Sequence, residues 1–339
     1  TINGVFEAGL YQVFSGDGSV SISRSATAEV YPEWWGAVGD GVTDDTVAIQ
    51  KAFGTRRLVR LRGAPYKCTG PLTYSGEGIL SPKSWGTPTG AGLVFYGSGY
   101  TGLTFIGAIT VGVRLTVIGG PGNSVDGVHF NNPQLHSRIE YIRAQGFNGT
   151  GVKIDLAWGT VFETISVEDC YSNTKYALSI ETNGGVCDSA VFNLVDVESC
   201  GPKVMYINVN AALHNVFNSI HIERVPEGSE VRIGGHRTVI NHMHLYADGL
   251  STLTLTSADS FVIRSAYTQN YAITLLSHGT MHIYNMKTTG LGEVTYATDS
   301  WRYYFYDCHI GTFGGRAAIE IKIVRSTIST LKIGYSNTN

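Results

Sequence analysis

No apolar run in this sequence reaches the roughly twenty residues that a membrane-spanning helix requires, so insertion into a bilayer is not expected. Basic residues are scarce as well. Lys and Arg number 24 against 27 Asp and Glu, and the formal net charge of -3 supplies no basic surface for nucleic acid. Charged residues make up only 15% of the chain, a composition that disfavours long solvated helices. Five cysteines in 339 residues are too few for a disulfide framework. Cys68, Cys170, Cys187, Cys200 and Cys308 also lack the close paired spacing of zinc sites, so buried free thiols and no metal ligand set are expected. Thr1 to Ser25 alternates and is interrupted by glycine, which does not read as a secretory signal.

What is abundant points to one architecture. With 42 Gly and many Thr, Ser, Asn, Val and Ile, the chain favours short strands joined by many tight turns. A weak repeat runs from about residue 137 to the end. Aligning Ile139, Phe162, Phe192, Phe217, Ile240, Ile263, Ile283, Phe305 and Ile323 gives steps of 18 to 30 residues, the length of one coil of a β-solenoid. Three positions after the anchors stand Ile142, Ile165, Val195, Ile220, Met243, Ala266, Met286 and Cys308, and two further on stand Ala144, Val167, Val197, Ile222 and Leu245. Side chains on a strand alternate, so the odd spacing between the first two columns requires a bend. One position after three of the anchors come Asn193, Asn218 and Asn241. Asn tolerates a left-handed corner, and its amide can bond from rung to rung, so a hydrogen-bonded column is expected at that bend.

Upstream lies Tyr31-Pro32-Glu33-Trp34-Trp35-Gly36-Ala37-Val38-Gly39-Asp40-Gly41-Val42-Thr43-Asp44-Asp45-Thr46, followed by Val47 to Phe53. Asp44 or Asp45 can accept from the free amides of a first helical turn, and Ala48, Ile49, Ala52 and Phe53 give that helix an apolar side. Such a helix closes the open end of a stacked coil. Its Gly-Asp-Gly is not a phosphate loop, because no Lys-Ser/Thr pair follows. The segment resembles the opening signature of the pectate-lyase-like right-handed parallel β-helices, in the version found on bacteriophage tailspikes. The resemblance implies an all-β, right-handed single-stranded parallel β-helix with a short N-terminal capping helix, and the Asn column looks like the asparagine ladder of that superfamily. It also implies a bacterial surface polysaccharide as substrate, a parallel homotrimer, and a place on the virion tail, outside the cell. The expected organisation is a strand-rich leader over 1–30, a cap over 31–55, and coils over 56–339 that are regular from about 137. The leader is expected either to join a virion-binding domain or to pack on the cap.

Function is expected on the outward columns, because the inward ones are occupied by packing. Four residues after the anchors stand Arg143, Ser166, Asp196, His221, His244, Tyr267, Lys287 and His309; six after stand Gln145, Glu168, Glu198, Glu223, Tyr246 and Gln269. Rungs of a sheet lie about 4.8 Å apart, so Glu168, Glu198 and Glu223 are expected to form a ladder of like charge in which at least one carboxyl is hard to ionise. A protonated carboxylic acid beside a carboxylate is the equipment of glycoside hydrolysis. Glu198, Glu223, Asp196, Glu168 and His221 are therefore the catalytic candidates. His244, Tyr246, Arg224, Arg143, Trp158 and Tyr267 are the sugar-binding ones, since aromatic rings stack on the apolar faces of sugars. Trp85 and Trp301 read as packing or loop residues.

The same residues support two other readings. A uronate lyase would use His221, His244 or Tyr246 as base, with Arg224 neutralising the sugar carboxylate. The hydrolase needs no cofactor, whereas the calcium-dependent pectate lyases hold the cation with several Asp, a role the acidic ladder could take in a lyase. A receptor-binding β-helix would bind polysaccharide without shortening it. A further column, Val161, Val191, Val216, Val239 and Val262, precedes the anchors by one position and so faces outward. Loops or another subunit are expected to cover it.

Overall fold

A strand with alternate apolar residues must hide one face, and in this chain each strand hides it against the rest of its own coil while pairing with neighbouring coils. The computed structural model describes residues 1–62, 64–82, 92–133, 137–181, 187–208, 210, 212–277, 279–290, 293–296, 302–315 and 320–333. Trp85 and Trp301 lie outside the described residues. The chain is an all-β parallel solenoid of right-handed sense, the sense that parallel crossovers take. It divides into two compact units, Thr1–Cys170 and Tyr171–Asn339.

In the first unit one column of fully buried anchors runs Val30, Val59, Ile79, Val113, Ile139 and Phe162, each paired in parallel register with the next. Regular stacking thus begins at Glu29–Val30 and not near residue 137, and the first coil strand precedes the cap. In two of these coils glycine holds the outward position before the anchor, at Gly78 and Gly112, so the valine column does not extend to them. A Cβ at Gly78 would lie 1.9 Å from the Gly112 carbonyl oxygen, so only glycine lets those two rungs meet. The interior holds a column of rings, Phe53, Tyr74, Phe105, Phe130 and Phe162, with successive centroids 5.0, 5.9, 4.9 and 5.6 Å apart. Phe53 belongs to the Thr46–Gly54 helix, which buries Ala48, Ile49, Ala52 and Phe53 and so acts as the expected cap.

The two candidate caps divide the work. Asp44 accepts the Thr46 amide at 3.1 Å, whereas Asp45 turns back to accept the amides of Val38 and Gly39 at 2.7 and 3.0 Å. Burial raises the Asp45 pKa. Asp40 accepts the Thr43 and Val42 amides, and these bonds, Thr43 first, hold its pKa below the ordinary value. A depressed folded-state pKa contributes stability above the unfolded value, and that contribution disappears as pH falls through the folded one. The Tm gap between wild type and Asp40→Asn should therefore be present at pH 7 and shrink towards pH 2 in thermal unfolding. A gap independent of pH would mean the Asp40 charge does not matter.

The leader is less regular than its alternation suggests, with an isolated bridge between Ile2 and Ile22. Aromatic packing takes the place of a ladder. Phe6 meets Trp34 edge-on at 5.0 Å, Phe14 lies 5.0 Å from Trp35, and the Trp34 indole donates to the Gly9 carbonyl. The leader packs on the cap region.

In the second unit the anchors Phe192, Phe217, Ile240, Ile263, Ile283, Phe305 and Ile323 pair rung by rung as aligned from sequence. The Phe192 and Phe217 rings stack at 4.6 Å. A second wall carries Leu178, Met205, Val231, Leu253, Ile273 and Val294. Between buried Phe192 and buried Val195 both Asn193 and Leu194 point outward, which is the predicted bend. The ladder forms: Asn218 donates to Asn193 and Asn241 to Asn218, each at 2.6 Å. Its residues are not left-handed, contrary to expectation. Positive φ falls three positions before the anchors, at Ser189, His214 and Arg237, and seven after, at Ser199, Arg224 and Asn270. Two successive outward residues turn the chain without a left-handed φ. Val191, Val216, Val239 and Val262 form the outward apolar column, in register and half-buried. All five cysteines are buried.

Candidate active site

Beyond the bend of the second unit alternation resumes, so Val195 and Val197 turn inward while Asp196 and Glu198 turn out. Parallel register then sets Asp196, His221, His244 and Tyr267 on successive rungs of one face, with Glu198 beside Glu223. Tyr246 follows His244 by two residues on the same side of its strand. The structure thus brings together most of the residues expected to act.

Their contacts form a connected set. His221 Nδ1 lies 2.9 Å from Asp196 Oδ1, and its Nε2 lies 3.6 Å from Glu223 Oε2. An Nδ1–H held by a carboxylate leaves Nε2 as the proton acceptor, facing Glu223. The His244 ring stacks on His221 at 5.2 Å, Tyr267 lies 5.1 Å beyond it, and the Tyr267 hydroxyl donates to Gln269 at 3.1 Å. After Glu223 the strand bulges: Ile222 pairs with Leu245, but Val225 pairs with Ala247. Arg224, left-handed at φ 53, occupies the extra position and forms an ion pair with the Glu198 carboxylate. The expected ladder of like charge is therefore broken up, by the Arg224 guanidinium at Glu198 and by the His221 imidazole at Glu223. A bulge that re-aims one side chain is common beside functional sites.

Arg143 and Glu168 belong to the first unit and bind each other. Arg143 Nε donates to Glu168 Oε1 at 2.9 Å, its Nη2 to Oε2 at 2.5 Å, and Ser166 adds a bond of 2.8 Å. Only 6% of the Arg143 side chain is exposed, so this two-pronged pair presents no open guanidinium to a sugar. Trp158, also in the first unit, is 57% exposed and presents its indole to solvent. One cluster there was missed by the repeat alignment. His129 Nε2 lies 2.7 Å from Asp155 Oδ2, with Lys153 Nζ 3.5 Å from the same oxygen. His129 precedes the region where the repeat is legible, and no motif marks it.

His221 lies between Asp196 and Glu223. Among the described residues no three His, Cys, Asp or Glu side chains are grouped so that they could hold a metal ion. No helix among the described residues is long and apolar enough to cross a membrane.

No protein-family model and no curated protein sequence matches the chain. Solved structures do. ORF18 of Geobacillus virus E2 superposes with a TM-score of 0.56 at 17% identity, over 92% of this chain and 62% of that one. The enzymatically active domain of tailspike protein 2 from bacteriophage CBA120 superposes with a TM-score of 0.55 at 14% identity, over 82% and 47% respectively. The chain has a tailspike-like parallel β-helix fold. The same tailspike-like fold also matches PfbA, a surface adhesin of Streptococcus pneumoniae, with a TM-score of 0.56 at 10% identity over 91% and 93%. At these identities the likeness is one of fold, and the chain spans less than two thirds of either phage protein.

Proposed function

We propose that this chain is a tailspike-type depolymerase that binds and cleaves bacterial surface polysaccharide, capsule or O-antigen, from a position on a phage tail. The observation that carries the reading is the register of Glu198 with Glu223 on one outward face, with Arg224 paired to the first and the Asp196–His221 couple beside the second. The tailspike-like fold is its second support.

In the hydrolytic mechanism Glu223 donates its proton to the glycosidic oxygen as the bond to the leaving sugar breaks. Glu198 supplies the carboxylate, either attacking the anomeric carbon or taking a proton from the water that does so. Arg224 fixes Glu198, Asp196 fixes His221, and His244, Tyr246 and Tyr267 offer ring surface to the sugar. No step calls on a metal ion or other cofactor. The half-buried valine column is assigned to a parallel homotrimer.

A second reading is favoured by one observation, the 2.9 Å bond from His221 Nδ1 to Asp196 Oδ1. It makes Nε2 a competent base for abstracting the proton next to a uronate carboxyl, with Arg224 as the neutralising cation. A panel of capsular and O-antigen polysaccharides separates the readings when new reducing ends and absorbance near 232 nm are followed together. Reducing ends alone are expected. Both signals rising would replace the hydrolase by a lyase. Binding with neither signal would make the chain a non-catalytic receptor-binding protein, as the likeness to an adhesin allows.

A further inference from the structure

The asparagine ladder of the second unit stops abruptly. Asn241 Nδ2 donates back to Asn218, but Asn241 Oδ1 is buried and has no hydrogen-bond partner among the described residues. On the next rung the ladder position, one after Ile263, is held by Arg264. Here the surface opens into a concavity of about 540 Å³ lined by Asn218, Asn241, His242, Arg264, Ser265 and Asn285. That volume accommodates a sugar unit or two. Every lining side chain can form hydrogen bonds, and Arg264 is exposed without an ion-pair partner among the described residues.

Two neighbours give the concavity direction. His242 and His244 are outward residues of one strand two positions apart, about 7 Å along the chain, so the concavity abuts the candidate catalytic face. On the rungs beyond, His282 stacks on Tyr304 at 4.8 Å and Tyr284 on Tyr306 at 4.7 Å, all four rings within 12° of parallel. This array offers ring edges and phenol hydroxyls rather than a single flat face. Ring edges are electropositive and favour oxygen-rich, negatively charged ligands.

We propose that this concavity is a subsite for an acidic sugar, with the Arg264 guanidinium taking a uronic-acid carboxylate in two-pronged fashion and Asn241 Oδ1 accepting a sugar hydroxyl. The inference rests on the depolymerase reading and deepens it: the substrate is an acidic polysaccharide. Planar guanidinium matches planar carboxylate, and a hydroxyl would satisfy the one buried acceptor that the ladder leaves open.

The test measures binding and cleavage of acidic and neutral bacterial capsular polysaccharides, together with the carboxyl-reduced form of each acidic one, by wild type and Arg264→Gln. Thermal unfolding of the variant serves as the folding control, and little change is expected because the side chain is exposed. Wild type should bind an acidic polymer, and Arg264→Gln should weaken that binding about 10- to 100-fold. Carboxyl reduction should cost a similar factor, and the variant should add little to it. Equal binding of the native and carboxyl-reduced polymers overturns the proposal, as does an Arg264→Gln loss of the same size on both. Cleavage confined to neutral polymers overturns it while leaving the depolymerase standing. Failure to bind any polymer removes both.

Discussion

Glu223→Gln is expected to lower kcat on the cleaved polysaccharide by about 10² to 10⁴ while leaving KM within a few-fold, the loss typical of a positioned proton donor. The amide keeps the shape of the side chain but has no acidic proton to give to the glycosidic oxygen. Glu198→Gln should fall as far, because the nucleophile or base is lost and Arg224 is left without its carboxylate. His221→Ala separates the two mechanisms. In hydrolysis the imidazole only supports Glu223 across 3.6 Å, so activity should drop less than in either Glu variant. In β-elimination His221 is itself the base, and its loss should be the most severe. Asp196→Asn should follow His221→Ala in direction, since the amide no longer selects the tautomer with Nε2 free. Initial rates of reducing-end formation decide the matter. Glu198→Gln and Glu223→Gln both within three-fold of wild type would remove the carboxylate pair from the mechanism.

Phe217→Ala should cost about 3–5 kcal/mol of stability. The side chain is fully buried and its ring lies 4.6 Å from Phe192, so truncation opens a void between rungs that the stacked backbones cannot close. Because a solenoid is held by contacts between neighbouring coils, the loss should also loosen the rung that carries His221 and Glu223. Val216→Ala, one residue earlier but half-exposed on the outward column, should cost only about 1 kcal/mol in the monomer. Chemical unfolding of the two variants checks the assignment of faces. A Phe217→Ala cost no greater than that of Val216→Ala would mean the inward and outward columns are exchanged.

The columns were legible because a solenoid repeats its side-chain chemistry at each turn. The anchors from Ile139 onward, the outward valines, the Asn ladder and the row Asp196, His221, His244 and Tyr267 all follow from spacing alone. The coils before residue 137 were expected but without register, since Gly78 and Gly112 stand where later rungs carry the outward valine. Left-handed corners were placed one residue after the anchors but fall three before and seven after, where Ser, His, Arg and Asn give no shared signal. Side-chain reach was the least legible property. Nothing in the spacing says that Arg143 is consumed by Glu168, or that an extra residue turns Arg224 onto Glu198. The concavity at Arg264 is visible only as an interruption in a run of asparagines.

Coil length in this chain drifts from 18 to 30 residues while the working face keeps its register. The difference is taken up between the strands, so a change in coil length need not disturb the rows of that face. Inserting or shortening a loop re-shapes what the face meets without moving a carboxylate, and duplicating a whole coil adds a row without scrambling the others. Under the proposed depolymerase reading, editing such loops alters what the face meets at little risk to the fold.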